Sequence, residues 1–260
     1  MQKVECFAQI AGLLAMQLQK GVVTNNFLRA ADYDREAKTG LYVHETDGAL
    51  LVLRDRGTHY VLTFFLQQGV RPSLPPLGRP VVTELPFRPK DQDAVLTAAG
   101  YFRALGFTEV LRRTRRTRPA APASASALVR TAGEADFPAA DAFLRAQFPE
   151  RTGCIPEKPA LLAALAGGQL LMTADETGLT GLLHYAPGFG ASEIRHLAVR
   201  EDRRGQGLAG ALLGSYLAAA GGQKSQVWAR TGNIPAERLY ESHDYRPDGW
   251  QSIVLQYEGA

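Results

Sequence analysis

Residues Ser192 to Leu213 read SEIRHLAVREDRRGQGLAGALL. Ser192–Val199 has the length and the β-branched and apolar content of a strand. From Gly207 the period changes: Leu208, Leu212 and Tyr216, with Leu213 and Leu217, recur at helical spacing up to Ala220, where Gly221-Gly222 closes the run. Between the two lies Arg204-Gly205-Gln206-Gly207-Leu208-Ala209, an Arg-x-x-Gly-x-Gly/Ala pattern. Small residues at 205, 207 and 209 let the backbone turn tightly and come close to a ligand. The first amides of the following helix then point at an anion, aided by the helix dipole. A pyrophosphate is the natural guest. The pattern is not a phosphate-binding Gly-Lys-Ser/Thr loop, and it lacks the Gly-x-Gly-x-x-Gly dinucleotide fingerprint.

The surrounding elements alternate. Upstream, Leu128–Arg130 reads as a strand, Glu134–Phe148 and Leu161–Leu165 as helices, and Gln169–Ala174 and Gly178–Tyr185 as strands. Asp175–Gly178 and Pro187–Gly190 supply turns. Downstream come a strand at Ser225–Arg230, a helix at Pro235–His243 and a last strand at Trp250–Tyr257. This order predicts a mixed α/β (α+β) domain around one sheet.

Two motifs in this order resemble the GNAT acyltransferases. Leu197-Ala198-Val199, Arg204–Ala209 and Leu212-Leu213 look like that family's motif A, and Asn233-Ile234-Pro235-Ala236-Glu237-Arg238-Leu239-Tyr240 resembles its Asn-x-x-Ala-x-x-x-Tyr motif B. The resemblance covers about 130 residues and implies acetyl-CoA as acyl donor, with no metal. It implies that Leu197, Ala198 and Val199 pair with the pantetheine arm. Arg204, Gly205, Gln206, Gly207, Leu208 and Ala209 would hold the pyrophosphate, and Asn233 would touch the cofactor. One departure follows Tyr240: Asp244-Tyr245 stands where the family has Gly-Phe, which puts the tight turn there in question.

Acyl transfer to an amine requires deprotonation of the amine, stabilisation of the oxyanion and protonation of the leaving thiolate. Glu193, at the start of the strand, stands where the resemblance puts a general base. His196, on the same strand, is a second candidate, although three positions along it falls on the other pleat face unless a bulge intervenes. Tyr240 is the expected general acid. Asn233, two residues before Pro235, also suits a helix cap.

Residues 1–118 lack the glycine pattern, yet Tyr101–Phe107 lines up with Leu239–Tyr245, and Gly40–His44, Ala49–Arg54 and His59–Leu66 read as strands. Where the cradle helix would stand, Gln67–Pro80 carries four prolines. The expectation is a tandem: a degenerate GNAT-like domain at 1–118 without CoA binding, a Pro/Ala/Ser linker at 119–127, and an intact domain at 128–260. The first half would shape the acceptor cleft or a homodimer. The arginines of 112–118 read as a charged terminal edge strand, with a nucleic-acid arm as the competing reading.

Composition narrows the classes. The chain has 260 residues, 45% hydrophobic, with a net charge of +3, which does not argue for a nucleic-acid or membrane partner. No apolar run reaches the roughly 18 residues of a membrane span. Cys6 and Cys154 lack metal-ligand spacing and read as thiols of a reducing compartment. With no signal-peptide pattern, cytoplasmic residence is expected. Motifs leave the acceptor open among small amines, antibiotics, amino acids and peptide N-termini. A non-catalytic CoA-binding or regulatory module, or a nucleic-acid-associated modifier, are the alternatives to an N-acetyltransferase.

Overall fold

The computed structural model describes residues 1–17, 21–188 and 190–259, so Phe189 of the expected turn Pro187–Gly190 lies outside the described residues. Contacts divide the chain into two units: Met1–Arg113 with Trp250–Ala260, and Thr114–Gly249. The expected domain at 128–260 therefore differs at its end, because the last strand groups from Trp250 onward with the first unit.

In chain order the first unit contains β1 (Gln2–Val4), α1 (Ala11–Gln17), β2 (Val23–Thr24), α2 (Ala30–Thr39), β3 (Leu41–Thr46), β4 (Ala49–Asp55), β5 (Tyr60–Leu66), β6 (Val81–Phe87), α3 (Gln92–Ala104) and the start of β7 (Thr108–Arg118). The second contains the end of β7, then β8 (Arg130–Thr131), α4 (Phe137–Gln147), α5 (Lys158–Ala166), β9 (Leu170–Asp175), β10 (Gly178–Ala186), β11 (Ser192–Val199), α6 (Leu208–Ala219), β12 (Ser225–Arg230), α7 (Ile234–Glu241) and the start of β13 (Arg246–Tyr257). The same order thus occurs twice, with β2 added and the α6 equivalent missing in the first copy. Between Leu66 and Val81 no helix forms, as the prolines there dictate.

The sheet of the first unit runs β1-β3-β4-β5-β6-β13, with β2 beside β5. β5 and β6 are parallel but pair only at Tyr60↔Val81 and Val61↔Val82. Beyond that point β2 lies against β5, antiparallel, with Val23 opposite Leu66 and Thr24 opposite Phe65. Asn25 bridges the gap. Its Nδ2 donates to Leu62 O (3.2 Å), Thr83 Oγ1 (3.0 Å) and Glu84 O (2.9 Å), and its Oδ1 accepts from Phe64 N–H (2.8 Å). The fork between β5 and β6 is thus filled by the chain itself. Along β6, Gln251–Tyr257 of β13 pairs antiparallel with Val81–Phe87, burying Ile253 and Leu255 among Leu62, Phe64 and Phe102. That burial is why the last strand belongs to this unit.

The echo between the halves is structural. In the first, Gly106 (φ 94°) follows α3, and Phe107 N–H donates to Phe102 O. In the second, Asp244 (φ 65°) follows α7, and Tyr245 N–H donates to Tyr240 O. Asp244 takes the left-handed conformation that glycine takes at Gly106, so the tight turn survives the substitution.

The second unit's sheet runs β13-β7-β12-β11-β10-β9-β8, with Thr114–Arg118 of β7 and Arg246–Gly249 of β13 counted in it. β7 has a neighbour on each side, which corrects the expectation of an edge strand. Its arginines meet carboxylates: Arg115 pairs with Asp248 (2.6 Å) and Arg116 with Glu241 (3.0 Å) here, and Arg113 with Glu84 (2.6 Å) in the first unit. Internal neutralisation, rather than exposure, is what makes so basic a strand compatible with a sheet.

Residues 119–127 also depart from expectation. They are packed, not free: Ala121 N–H donates to Gly222 O (2.9 Å), Ser126 N–H to Ser215 Oγ (2.9 Å), and Ala123 touches the α6 core. Small residues on both sides permit this approach. A Cβ on Gly222 would stand 3.0 Å from Ala121 O, and one on Gly214 would stand 3.3 Å from Ser124 O.

Candidate functional site: a forked strand pair and a glycine cradle

β11 and β12 are parallel and pair over three residues, Ser192↔Ser225, Glu193↔Gln226 and Ile194↔Val227. β11 continues to Val199 and β12 to Arg230, so past Ile194 the pair forks. The fork leaves the β12-side edge of Arg195–Val199, which includes Leu197, Ala198 and Val199, without this strand partner. It matches the first unit's fork between β5 and β6, but no counterpart of β2 enters it among the described residues.

The strand leads into the glycine loop. Arg200 pairs with Asp202 (2.6 Å), and Arg203 pairs with Asp175 (2.7 Å), which pins the turn Glu201–Arg203 to the β9–β10 hairpin. The Thr177 hydroxyl and the Arg203 guanidinium hold the Asp175 carboxyl well below its usual range. Arg204 Nε donates back to Val199 O (3.3 Å). Gly205 (φ 78°) and Gly207 (φ 77°) are both left-handed, and a Cβ on either would meet open space. Arg204, Gly205, Gln206 and Gly207 are exposed, and Leu208 and Ala209 are half-buried. The first bond inside α6 runs from Ala211 N–H to Gly207 O, which leaves the amides of Leu208, Ala209 and Gly210 at the helix end. Gly181 on β10 brings α6 close to the sheet, since a Cβ there would stand 3.0 Å from Leu212 Cδ1. Open left-handed glycines, a free strand edge and a helix N-terminus together fit a pantetheine arm ending in a pyrophosphate.

A bulge decides which side chains share a face. His196 pairs with His184, yet Ile194 pairs with Tyr185, so Arg195 is an extra residue on β11. Glu193 opposes Ala186, two residues from His184, so Glu193 and His196 project to one face, the side of α4 and α5. Ile194 and Leu197 project to the other, against α6 and α7. Glu193 Oε1 pairs with Arg195 Nη1 (2.9 Å), and its Oε2 accepts from Gln226 Nε2 (2.8 Å). His196 is buried, with Nδ1 3.1 Å from His184 Nδ1 and Nε2 2.8 Å from Gly153 O.

Tyr240 lies on α7 in the α6 core, its ring 5.5 Å from that of Tyr245. Burial pushes its phenol above the ordinary tyrosine range, so it is protonated throughout the physiological range. Asn233 caps α7, its Oδ1 accepting from Ala236 N–H (3.4 Å). Beside Tyr240 runs a chain of buried hydroxyls. Ser192 Oγ lies 2.5 Å from Tyr216 OH, Tyr216 OH 2.7 Å from Ser225 Oγ, and Ser225 Oγ 2.5 Å from Tyr245 OH. It crosses the first paired rung, Ser192↔Ser225, two residues before the fork opens. Sequence reading missed Ser192, Ser225, Tyr216 and His184; serines in a strand and a tyrosine in a leucine stripe carry no signal until their register is known.

Residues 166–247 match the acetyltransferase (GNAT) domain family. No curated protein matches the chain significantly. Solved structures that do include a GCN5-related N-acetyltransferase from Sphaerobacter thermophilus, with TM-score 0.57 at 15% identity over 89% of this chain and 86% of that one. A GNAT-family acetyltransferase from Colwellia psychrerythraea matches with TM-score 0.57 at 12% identity over 100% and 99% of the two chains. A tandem GNAT protein from the clavulanic acid biosynthesis pathway matches with TM-score 0.53 at 12% identity over 93% and 84%. Identities this low establish a common fold and nothing finer. The chain therefore has the GNAT fold, and its residues 166–247 form an acetyltransferase (GNAT) domain.

Proposed function

We propose that the second unit is an N-acetyltransferase that moves an acetyl group from acetyl-CoA to a primary amine by direct attack. The observation that carries this reading is the fork past Ile194, which runs straight into the left-handed glycines at the N-terminus of α6. The open edge of β11 suits the amides of a pantetheine arm, and the α6 amides suit the pyrophosphate. The thioester would then lie near the apex of the fork.

The two faces divide the proton work. Glu193 stands on the α4/α5 face, and Tyr240 on the α6/α7 face. A lysine-like amine, with a pKa near ~10.4, reaches the site protonated and must lose a proton before it attacks. Glu193, held by Arg195 and Gln226, takes that proton directly or through water. Both ring nitrogens of His196 are already engaged, which favours the carboxylate over the imidazole as base. An amide on the open β11 edge stabilises the oxyanion. Tyr240, protonated, gives its proton to the departing thiolate from the opposite face, and the second proton of the attacking nitrogen, shed as the tetrahedral adduct collapses to the amide, passes through water to the phenolate. In the first unit Phe102 stands at the equivalent position and has no proton to give, and β2 fills the fork. One acetyl-CoA per chain follows. Cys6 and Cys154, both thiols, fit a cytoplasmic setting; among the described residues no helix is long and apolar enough to cross a membrane.

Calorimetry on the full chain tests the cradle: one saturable acetyl-CoA site is expected. Gly207→Asp, which adds a carboxylate and a side chain at φ 77°, should weaken it by about a hundredfold or more. Equal affinities would sink the assignment. Thiol release with a panel of 2-phenylethylamine, lysine and an alanyl peptide separates an enzyme from a module that only binds CoA.

A further inference from the structure

α4 ends at Gln147, and the chain turns through Pro149–Ile155 before α5. This turn is tightly built. Gly153 N–H donates to Pro149 O (2.7 Å), and a Cβ on Gly153 would stand 2.6 Å from that oxygen and 2.8 Å from Phe148 Cβ. Cys154 follows with φ 52°, a conformation that side chains rarely adopt. His196 ties the turn to the sheet: its Nε2 lies 2.8 Å from Gly153 O and its ring packs edge-on against Phe148 at 4.8 Å.

A carbonyl can only accept, so His196 Nε2 carries a proton. In the neutral ring Nδ1 is then a bare acceptor. His184 Nδ1, 3.1 Å away, must supply the matching N–H. The two rings stack at 5.4 Å with planes 7° apart. One hydrogen-bonded line thus runs from His184 through His196 to the turn. Burial first, then the neighbouring His196 and Arg195, push His184 down to about 3, so it is neutral at pH 7, as the line requires.

We infer that His184 is a positioning residue for the acceptor: acting through His196, it fixes the Pro149–Ile155 turn against the face of β11 that carries Glu193. The inference rests on the transfer reading above. Glu193 stands on the α4/α5 face, beside His196. An amine that gives its proton to Glu193 therefore approaches on the α4/α5 face, past this turn. A turn that swings free would change the acceptor's seat and leave the β11 edge and the glycine loop as they are.

The test compares His184→Leu, which keeps the bulk and loses the donor, with His184→Asn, whose amide can restore an N–H near the Nδ1 position. Two readouts are taken on the full chain. In amide hydrogen exchange, Thr152–Ile155 should exchange about tenfold faster in His184→Leu, the factor set by one hydrogen bond of ordinary net strength, and close to wild type in His184→Asn. In steady-state kinetics with the panel amine turned over fastest, His184→Leu should raise the amine KM about tenfold, with kcat and the acetyl-CoA KM within about twofold, and His184→Asn should reverse it. An unchanged amine KM, an acetyl-CoA KM that rises in step, or failure of His184→Asn to rescue would overturn the inference. If the wild type binds acetyl-CoA but turns over no amine, the transfer reading falls, and the exchange comparison alone decides whether the latch exists.

Discussion

Asn25 offers a direct measure of how the first unit closes its own fork. Replacing it with Ala removes the donor to Leu62 O, Thr83 Oγ1 and Glu84 O and the acceptor for Phe64 N–H. Phe64 is 1% exposed, so its amide would be left buried without a partner unless water enters. An orphaned buried donor costs roughly 1–3 kcal/mol, and each lost net hydrogen bond adds about 1 kcal/mol. Some acceptors will find water or each other, so the expected loss is about 3 kcal/mol, or a fall in Tm of roughly 6–12 °C. The chain has one tryptophan in each unit, Trp228 in the second and Trp250 in the first. Urea unfolding in a Trp228→Phe background therefore reports the first unit through Trp250. The acetyl-CoA affinity of the second unit should not change. A loss below about 1 kcal/mol would mean that β2 rests in the fork without holding it. Two acetyl-CoA sites in the wild type would refute the idea that the fork is filled.

Two further outcomes test the chemistry and the buried histidine. Tyr240→Phe should lower kcat by about 10²-fold, the lower end for general acids because a thiolate leaves readily, with acetyl-CoA affinity unchanged; since burial pushes the phenol above its ordinary range, the wild type should show no alkaline limb from this residue at accessible pH, and full kcat in the variant would make Tyr240 structural. His184 is depressed to about 3 in the folded state against the ordinary 6.5, so between those values the unfolded chain binds the extra proton. Its contribution is therefore constant above about pH 6.5, and stability drains by up to ~1.4 kcal/mol per pH unit as the pH falls below that. Urea titrations from pH 7.5 to 4.5 should show this slope shrinking in His184→Asn, and a variant as acid-sensitive as wild type would exclude it.

Local chemistry made much of the second half legible in the sequence. The strand–loop–helix order around Arg204–Ala209 follows from a change of hydrophobic period across glycines, and the left-handed Gly205 and Gly207 bear out the need for small residues there. The Tyr101–Phe107 echo was readable because a helix end is closed by neighbours within one turn, and Asp244 shows how a non-glycine residue can satisfy the same closure. The prolines of Gln67–Pro80 excluded a cradle helix without help from the fold. α1, α2 and β2 stayed silent because they are short and their apolar residues show no clean period.

What the sequence determined by itself is the pair of motifs, their order and the absence of a cradle in the first half, since each is a property of residues within a few positions of one another. Tertiary structure alone decided which face each side chain takes. The extra residue Arg195 sets Glu193 and His196 on one side of the sheet, and the pairing of β10 with β11 is what makes that residue extra. The same holds for β2 lying against β5, for Trp250–Tyr257 joining the first unit, and for the Ser192–Tyr216–Ser225–Tyr245 chain. Register relates strands far apart in the chain, and because side chains alternate with a period of two, a slip of one residue exchanges the faces.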